Sequence, residues 1–321
     1  MPTIDALSEL THLDLANLQG RTIALHPLHE DNEWKMWIVP GAKAIRLAGT
    51  PVESCYFAKR PAAPDHVCFA LLNFLHQRAL WPSVESFVTG IYDDVNNIGA
   101  SFKKLRLIFD HCDDNSGSAR MVTSEIEYIF ATCRSLFDLL QETLRGLWKN
   151  VRLFDSTIKK RELPKSYADM LFRANSPQST DQIAERYSIP QQLASVYAQS
   201  SLFFQWLREF RDLVSHSGRT VGYVFTTEKG FAIRTPDKPF SGMPIWCPTN
   251  SLPNELGSLL SVLAFIVHTT IGLCEMFATV LPQVIQFPPD IAPGYSVYMC
   301  GPHVGALAGL NEWIRIRPWY C

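Results

Sequence analysis

Three long stretches of this chain, 119–154, 190–216 and 253–284, repeat apolar residues at helical spacing, and none can bury its stripe alone. The first stripe runs from Ile126 and Phe130 through Phe137 and Leu144 to Val151. The second runs through Leu193, Tyr197, Phe204, Leu207 and Phe210, with Pro190 suited to its first turn and Gly218 placed to end it. Two further helices are expected at 66–81 and 82–111. Apolar residues make up 47% of the chain and charged residues 19%, so a substantial core is expected and wholesale disorder is not.

The remaining segments give the expected organisation. Residues 1–65 read as a mixed N-terminal region, with short strands at 21–25 and 34–39. Residues 66–118 form a helical N-terminal subdomain closed by a polar loop at 113–118. Residues 119–284 form a helical domain carrying a β-hairpin at 221–235, where Val221, Tyr223 and Phe225 alternate before the turn Glu228-Lys229-Gly230. Residues 285–321 are a Pro/Gly-rich C-terminal segment. The expected fold is mainly α, a helical bundle with a β-hairpin insertion and a small mixed N-terminal region.

Eight cysteines are scattered without a Cys-x-x-Cys pair, which suggests a reducing compartment, and no signal peptide is visible at the N-terminus. A cytoplasmic location is therefore expected. Residues 257–281 are apolar for long enough to span a bilayer. They carry His268 and Glu275 and lack a flanking basic cluster, so a buried core helix is expected and no membrane partner. The net charge of −2 argues against a dedicated duplex-DNA binder and leaves room for a local basic surface.

The chemistry concentrates at Phe210-Arg211-Asp212-Leu213-Val214-Ser215-His216-Ser217-Gly218. Arg211 continues the apolar stripe one turn after Leu207, where a charge needs a partner. His216 follows near a helix C-terminus, which favours the protonated imidazole. Arginine can hold a phosphate and histidine can move protons near neutral pH, a pairing suited to phosphodiester cleavage.

This segment resembles the Arg-x(4–6)-His motif of the HEPN superfamily, in the form with a polar residue after the arginine. The resemblance covers about 119–284. It implies a HEPN-like helical bundle that forms a homodimer with a composite site. It further implies a metal-independent endoribonuclease needing no cofactor, in a toxin or phage-defence role. The implied catalytic residues are Arg211, His216 and Asp212. RNA is the expected partner, with Arg145, Lys149, Arg208 and Arg219 as candidate backbone contacts. A separate regulatory protein remains open, and a non-catalytic interaction protein of the same architecture is the alternative function.

The same spacing recurs at Arg21–His26, Arg60–His66 and Arg106–His111, so context decides. The first lies in an expected strand, the second crosses two prolines, and the third has Leu107 after the arginine and acids beside it. His26 and His29 with Glu30 and Asp31 read as a solvated loop, not a metal site. Cys300 and His303 read as a structural turn. The run Trp313 to Trp319 reads as a short strand, with an RNA-stacking surface as the alternative.

Overall fold

The computed structural model describes residues 12–22, 27–38, 45–47, 49–111, 117–217 and 222–320; the side chains of Ile38, Ile45 and residues 211–217 lie outside that description. In chain order come β1 (Leu28–Glu30), β2 (Glu33–Ile38), β3 (Ile45–Leu47) and β4 (Ser54–Ala58). Helix α1 (Ala70–Phe74) continues as a π-turn over Leu75–Ala79, followed by α2 (Glu85–His111) and α3 (Ser118–Asn150). Then come β5 (Arg152–Leu153), α4 (Tyr167–Leu171), β6 (Phe172–Arg173), β7 (Ser176–Pro177), α5 (Thr180–Tyr187) and α6 (Gln191–Ser217). The chain continues with β8 (Val224–Thr227), β9 (Gly230–Arg234), β10 (Ser251–Leu252), β11 (Leu256–Ser258) and α7 (Leu259–Val284). It ends with β12 (Ile285–Gln286), β13 (Ser296–Cys300), α8 (Gly305–Ala308) and α9 (Leu310–Arg315).

The long helices α3, α6 and α7 pack on one another. Phe137, Tyr167, Tyr197, Phe204 and Phe277 meet in their shared core, all fully buried. The polar atoms drawn in with them are paired. The Tyr197 hydroxyl donates to Gln141 Oε1 at 2.8 Å, and the Tyr167 and Ser200 hydroxyls lie 2.7 Å apart. Helices α3 and α6 run antiparallel, since Gln141 meets Tyr197 while Phe130 stacks on Phe210 with centroids 3.7 Å apart. Helix α7 contains an 18-residue stretch with a mean hydropathy of 1.8 and is, among the described residues, the one helix long and apolar enough to cross a membrane. Here Val262, Leu263, Ile266, Val267 and Phe277 are buried within the protein.

The expectation of a mainly helical, HEPN-like bundle is overturned. About 51% of the described residues are helix and 15% strand, the strands forming four small sheets, which makes a mixed α/β protein. The hairpin β8–β9 is half of a four-stranded sheet ordered β10-β11-β9-β8. The N-terminal sheet has the order β13-β4-β1-β2-β3, so its edge strand comes from the far end of the chain, with Val297 opposite Phe57. Strands of two to five residues carry too little alternation to read locally, and a pairing between distant segments leaves no local pattern at all.

A buried polar clasp holds these distant segments together. The Arg21 guanidinium, 5% exposed, donates to the carbonyls of Leu18 (2.9 Å), Gln77 (2.5 Å), Pro289 (2.7 Å) and Asn17. Arg21 was expected in a strand; it lies in none, and its strand-length neighbours 23–26 fall outside the described residues. Gln77, on the π-turn, completes the clasp. Its amide donates to Tyr295 O at 2.8 Å and Ala292 O at 3.2 Å, and accepts from Ala292 N at 2.9 Å. Removing the guanidinium would take a donor from all four carbonyls, leaving Leu18 O with its bond from Arg21 N and Gln77 O with its bond from Ile291 N, while Asn17 O and Pro289 O lose theirs. Arg21→Met should therefore lower unfolding stability by about 1–3 kcal/mol, because hydrogen bonds to a charged group contribute roughly 1.5–3 kcal/mol and part of the lost bonding is made up by backbone donors and solvent. A change below about 1 kcal/mol in denaturant titration would show that the clasp carries little.

The N-terminal sheet adds a titratable element. His12 packs against Trp37, Phe57 and Tyr295, and its Nδ1 is buried without a hydrogen-bond partner among the described residues. Burial pushes its pKa down from 6.5 to about 4. Nearby Glu30 accepts from the Tyr295 hydroxyl (2.5 Å), Lys59 (3.1 Å) and Lys35 (3.2 Å), which hold its pKa down to about 2. For His12 the unfolded chain takes up a proton below pH 6.5 and the folded chain only near pH 4, so stability falls as pH drops through that window. Glu30 adds its own loss only below its unfolded value of 4.5, towards 2. The urea midpoint should thus decline between pH 7 and 5, and His12→Leu should flatten that slope; an unchanged slope in the variant would refute the assignment.

Candidate functional site

Helix α6 stays helical through Ser217, so Arg211, Asp212 and His216 all belong to its last two turns. Their side chains lie outside the description. By register, Asp212 and His216 are one turn apart on the same ridge, and Arg208 is one turn before Asp212. Arg208 is half-buried. Directly before the segment, Phe210 is 2% exposed and stacked on Phe130, with Trp206 on the same ring at 5.3 Å. Two aromatic contacts thus fix the helix just ahead of the motif. Arg219 lies outside the described residues.

Arg145 and Lys149 are not brought to this segment. They sit roughly 22 and 28 Å along α3 from Phe130, counting the rise of a helix, and so lie at the other end of the antiparallel pair. Arg145 is ion-paired with Glu162 at 3.0 Å and Glu142 at 3.4 Å. Neighbouring Lys160 is spent on the carbonyls of Trp148 and Val151, both at 2.5 Å. This stripe supports its own end of the fold rather than extending the α6 site.

The other sequence constellations resolve differently. His29 lies in β1 against Trp34, with centroids 4.8 Å apart, rather than in a loop; His26 is outside the described residues. His66 is bound to the Tyr56 hydroxyl at 2.7 Å. Cys300 is buried and its thiol pKa is raised by burial, so it makes no ready nucleophile. Among the described residues no group of three or more His, Cys, Asp or Glu is placed to hold a metal ion.

The expected strand at 313–319 is instead the end of helix α9 and the turn after it. With α2 and the β8–β9 turn it lines a half-open cleft of about 920 Å³. Phe102, Lys103 and Arg106 line one side, Trp313, Arg317 and Trp319 the other, and Lys229 reaches it from the hairpin. The run at 313–319 is visible in the sequence by itself, but only the tertiary fold brings it against the cations of α2.

Arg106 is the partly committed member of this group. It pairs with Asp110 at 2.8 Å, donates to the Tyr320 carbonyl, and lies over the Tyr320 ring at 5.3 Å. His111, its partner in the rival motif, is exposed at the end of α2. Arg106→Ala should therefore cost about 1–2 kcal/mol of stability by freeing the chain end, and His111→Ala less than about 0.5. Equal effects of the two in thermal denaturation would contradict this division.

Comparison with models of protein families, with curated proteins and with solved structures gives no match for this chain.

Proposed function

We propose that the chain is a metal-independent endoribonuclease whose chemistry lies in the last two turns of α6. The reading rests on the Arg-x4-His segment and its resemblance to HEPN ribonucleases, not on a helical-bundle fold. One observation carries it furthest: α6 continues without a break through Arg211 and His216, and Phe210 anchors it immediately before them. A guanidinium and an imidazole are then borne on one rigid, anchored element, the condition for reproducible placement of a scissile phosphate.

In this mechanism one His216 removes the proton from the ribose 2′-hydroxyl, which attacks the adjacent phosphorus. The leaving 5′-oxygen is protonated by the His216 of a second copy or by water. Arg211 holds the phosphate oxygens and offsets their growing charge. A homodimer supplies the second imidazole. Exposed apolar side chains favour association near this end of the protein. Met121 and Tyr128 on α3, with Tyr223 and Phe225 at strand β8, are 44%, 41%, 81% and 37% exposed, and α3 contacts β8. A cytoplasmic setting, a toxin or defence role and a separate regulatory protein fit such an enzyme and remain part of the proposal.

Purified protein should cut unstructured RNA in EDTA. His216→Ala and Arg211→Ala should each lower the rate about 10²–10⁴-fold with the far-UV spectrum unchanged. Absence of cleavage across a broad RNA set would favour the non-catalytic interaction protein, and full activity in both variants would remove the site from α6.

A further inference from the structure

We propose that the cleft between α2, the β8–β9 turn and the α9 end of the chain binds a nucleotide unit, with the base against its indole walls and the phosphates at its lysine rim. The inference stands apart from the cleavage reading, because it concerns different residues and is measured as binding. Three observations carry it, beginning with size. At about 920 Å³ the cleft lies at the upper end of the range that encloses small organic ligands, enough for a base, a sugar and several phosphates.

Charge is the second. Four cationic side chains, Lys103, Arg106, Lys229 and Arg317, line the cleft, and no carboxylate does among the described residues. The chain as a whole carries a net charge of −2, so this concentration is local. Their acids lie outside the lining: Asp110 takes Arg106, and Glu312 reaches Arg317 only at 3.8 Å, with both side chains largely exposed. Lys103 and Lys229 are exposed and have no ion pair among the described residues. Such a rim attracts anions and repels cations.

The third is the aromatic wall and how it is held. Trp319 Nε1 donates to Thr249 O at 2.9 Å, and Trp313 rests on Phe102 with centroids 5.2 Å apart. The backbone carrying them is pinned as well. Ser261 Oγ donates to Trp313 O at 3.0 Å, Ser258 Oγ donates to Pro318 O, and Tyr320 N donates to Lys229 O at 2.9 Å. The last bond ties the lysine-bearing turn directly to the aromatic wall. Rings held in place lose little entropy when a flat ligand stacks on them, and every nucleobase offers such a face. An anion with a planar ring is what this combination selects, whether as a free ribonucleotide or as one residue of single-stranded RNA.

Calorimetric titration of the full chain separates these two sources. One arm uses each ribonucleoside triphosphate. The other uses a 2′-O-methyl hexanucleotide, which cannot be cut through its 2′ position. Binding in either arm is expected, and the arm that binds more tightly names the source. Lys103→Glu combined with Lys229→Glu should weaken it at least tenfold. Arg173→Glu, an exposed charge reversal outside the cleft, should change it less than twofold. Inorganic tripolyphosphate should bind at least tenfold more weakly than the preferred ligand. The proposal is overturned by no binding in either arm at millimolar ligand, by equal weakening in the Arg173 variant, by no change in the lysine variant, or by tripolyphosphate binding as tightly.

Discussion

The rest of this structure depends on a single buried guanidinium. Arg21 gathers carbonyls from Asn17, Leu18, Gln77 and Pro289, and Gln77 in turn holds Ala292 and Tyr295. Strand β13 begins at the next residue, Ser296, so the clasp sets where it enters the N-terminal sheet. Its first bonds are made at once: Val297 N donates to Asn73 Oδ1 at 2.9 Å, and Val297 lies opposite Phe57. The turn after β13 then presses on α2 at Gly99, where a Cβ would fall 2.7 Å from the His303 carbonyl oxygen. A side chain there would push the chain end away from α2 and open the cleft. Chain ends that look peripheral in sequence are thereby made part of one core.

The helical core serves a different purpose. Helices α3, α6 and α7 bury their stripes against one another with few polar atoms, and those are paired, so the arrangement is stiff where the aromatic rings interlock. The last aromatic contact on α6 among the described side chains is Phe210 on Phe130. Beyond it the helix backbone carries the Arg211–His216 segment, which precedes the β8–β9 hairpin in the chain. The hairpin that follows delivers Lys229 to the other cleft. The two candidate sites are thus connected through a short stretch of chain while being built from separate residues.

How much was legible in the sequence depends on the range of the interaction. The long helices were legible because an apolar stripe repeats locally every turn: Phe130, Phe137 and Leu144 face the core as their spacing implies. The hairpin was legible from its turn at 228–230. The mixed α/β character was not, because β13 pairs with β4 across nearly the whole chain and because β10 and β11 are two and three residues long. Arg21 passed for a strand residue since nothing near it announces carbonyl partners at 77 and 289. The cleft was half legible: its aromatics at 313–319 stand out in the sequence, but their union with the cations of α2 is a tertiary fact. The segment at 211–216 was singled out by residue type and by resemblance, and the described structure adds its helical backbone and its anchor.

Attack by a 2′-hydroxyl leaves a chemical record in the product. RNA cut by this protein in EDTA can be analysed by mass spectrometry for its new termini, with a matched substrate carrying a single 2′-deoxy residue at the principal cleavage position. The account predicts a 2′,3′-cyclic phosphate and a 5′-hydroxyl from the all-ribose substrate, and no cut at the deoxy position. Products ending in a 3′-hydroxyl and a 5′-phosphate, or cleavage that tolerates the deoxy residue, would contradict it.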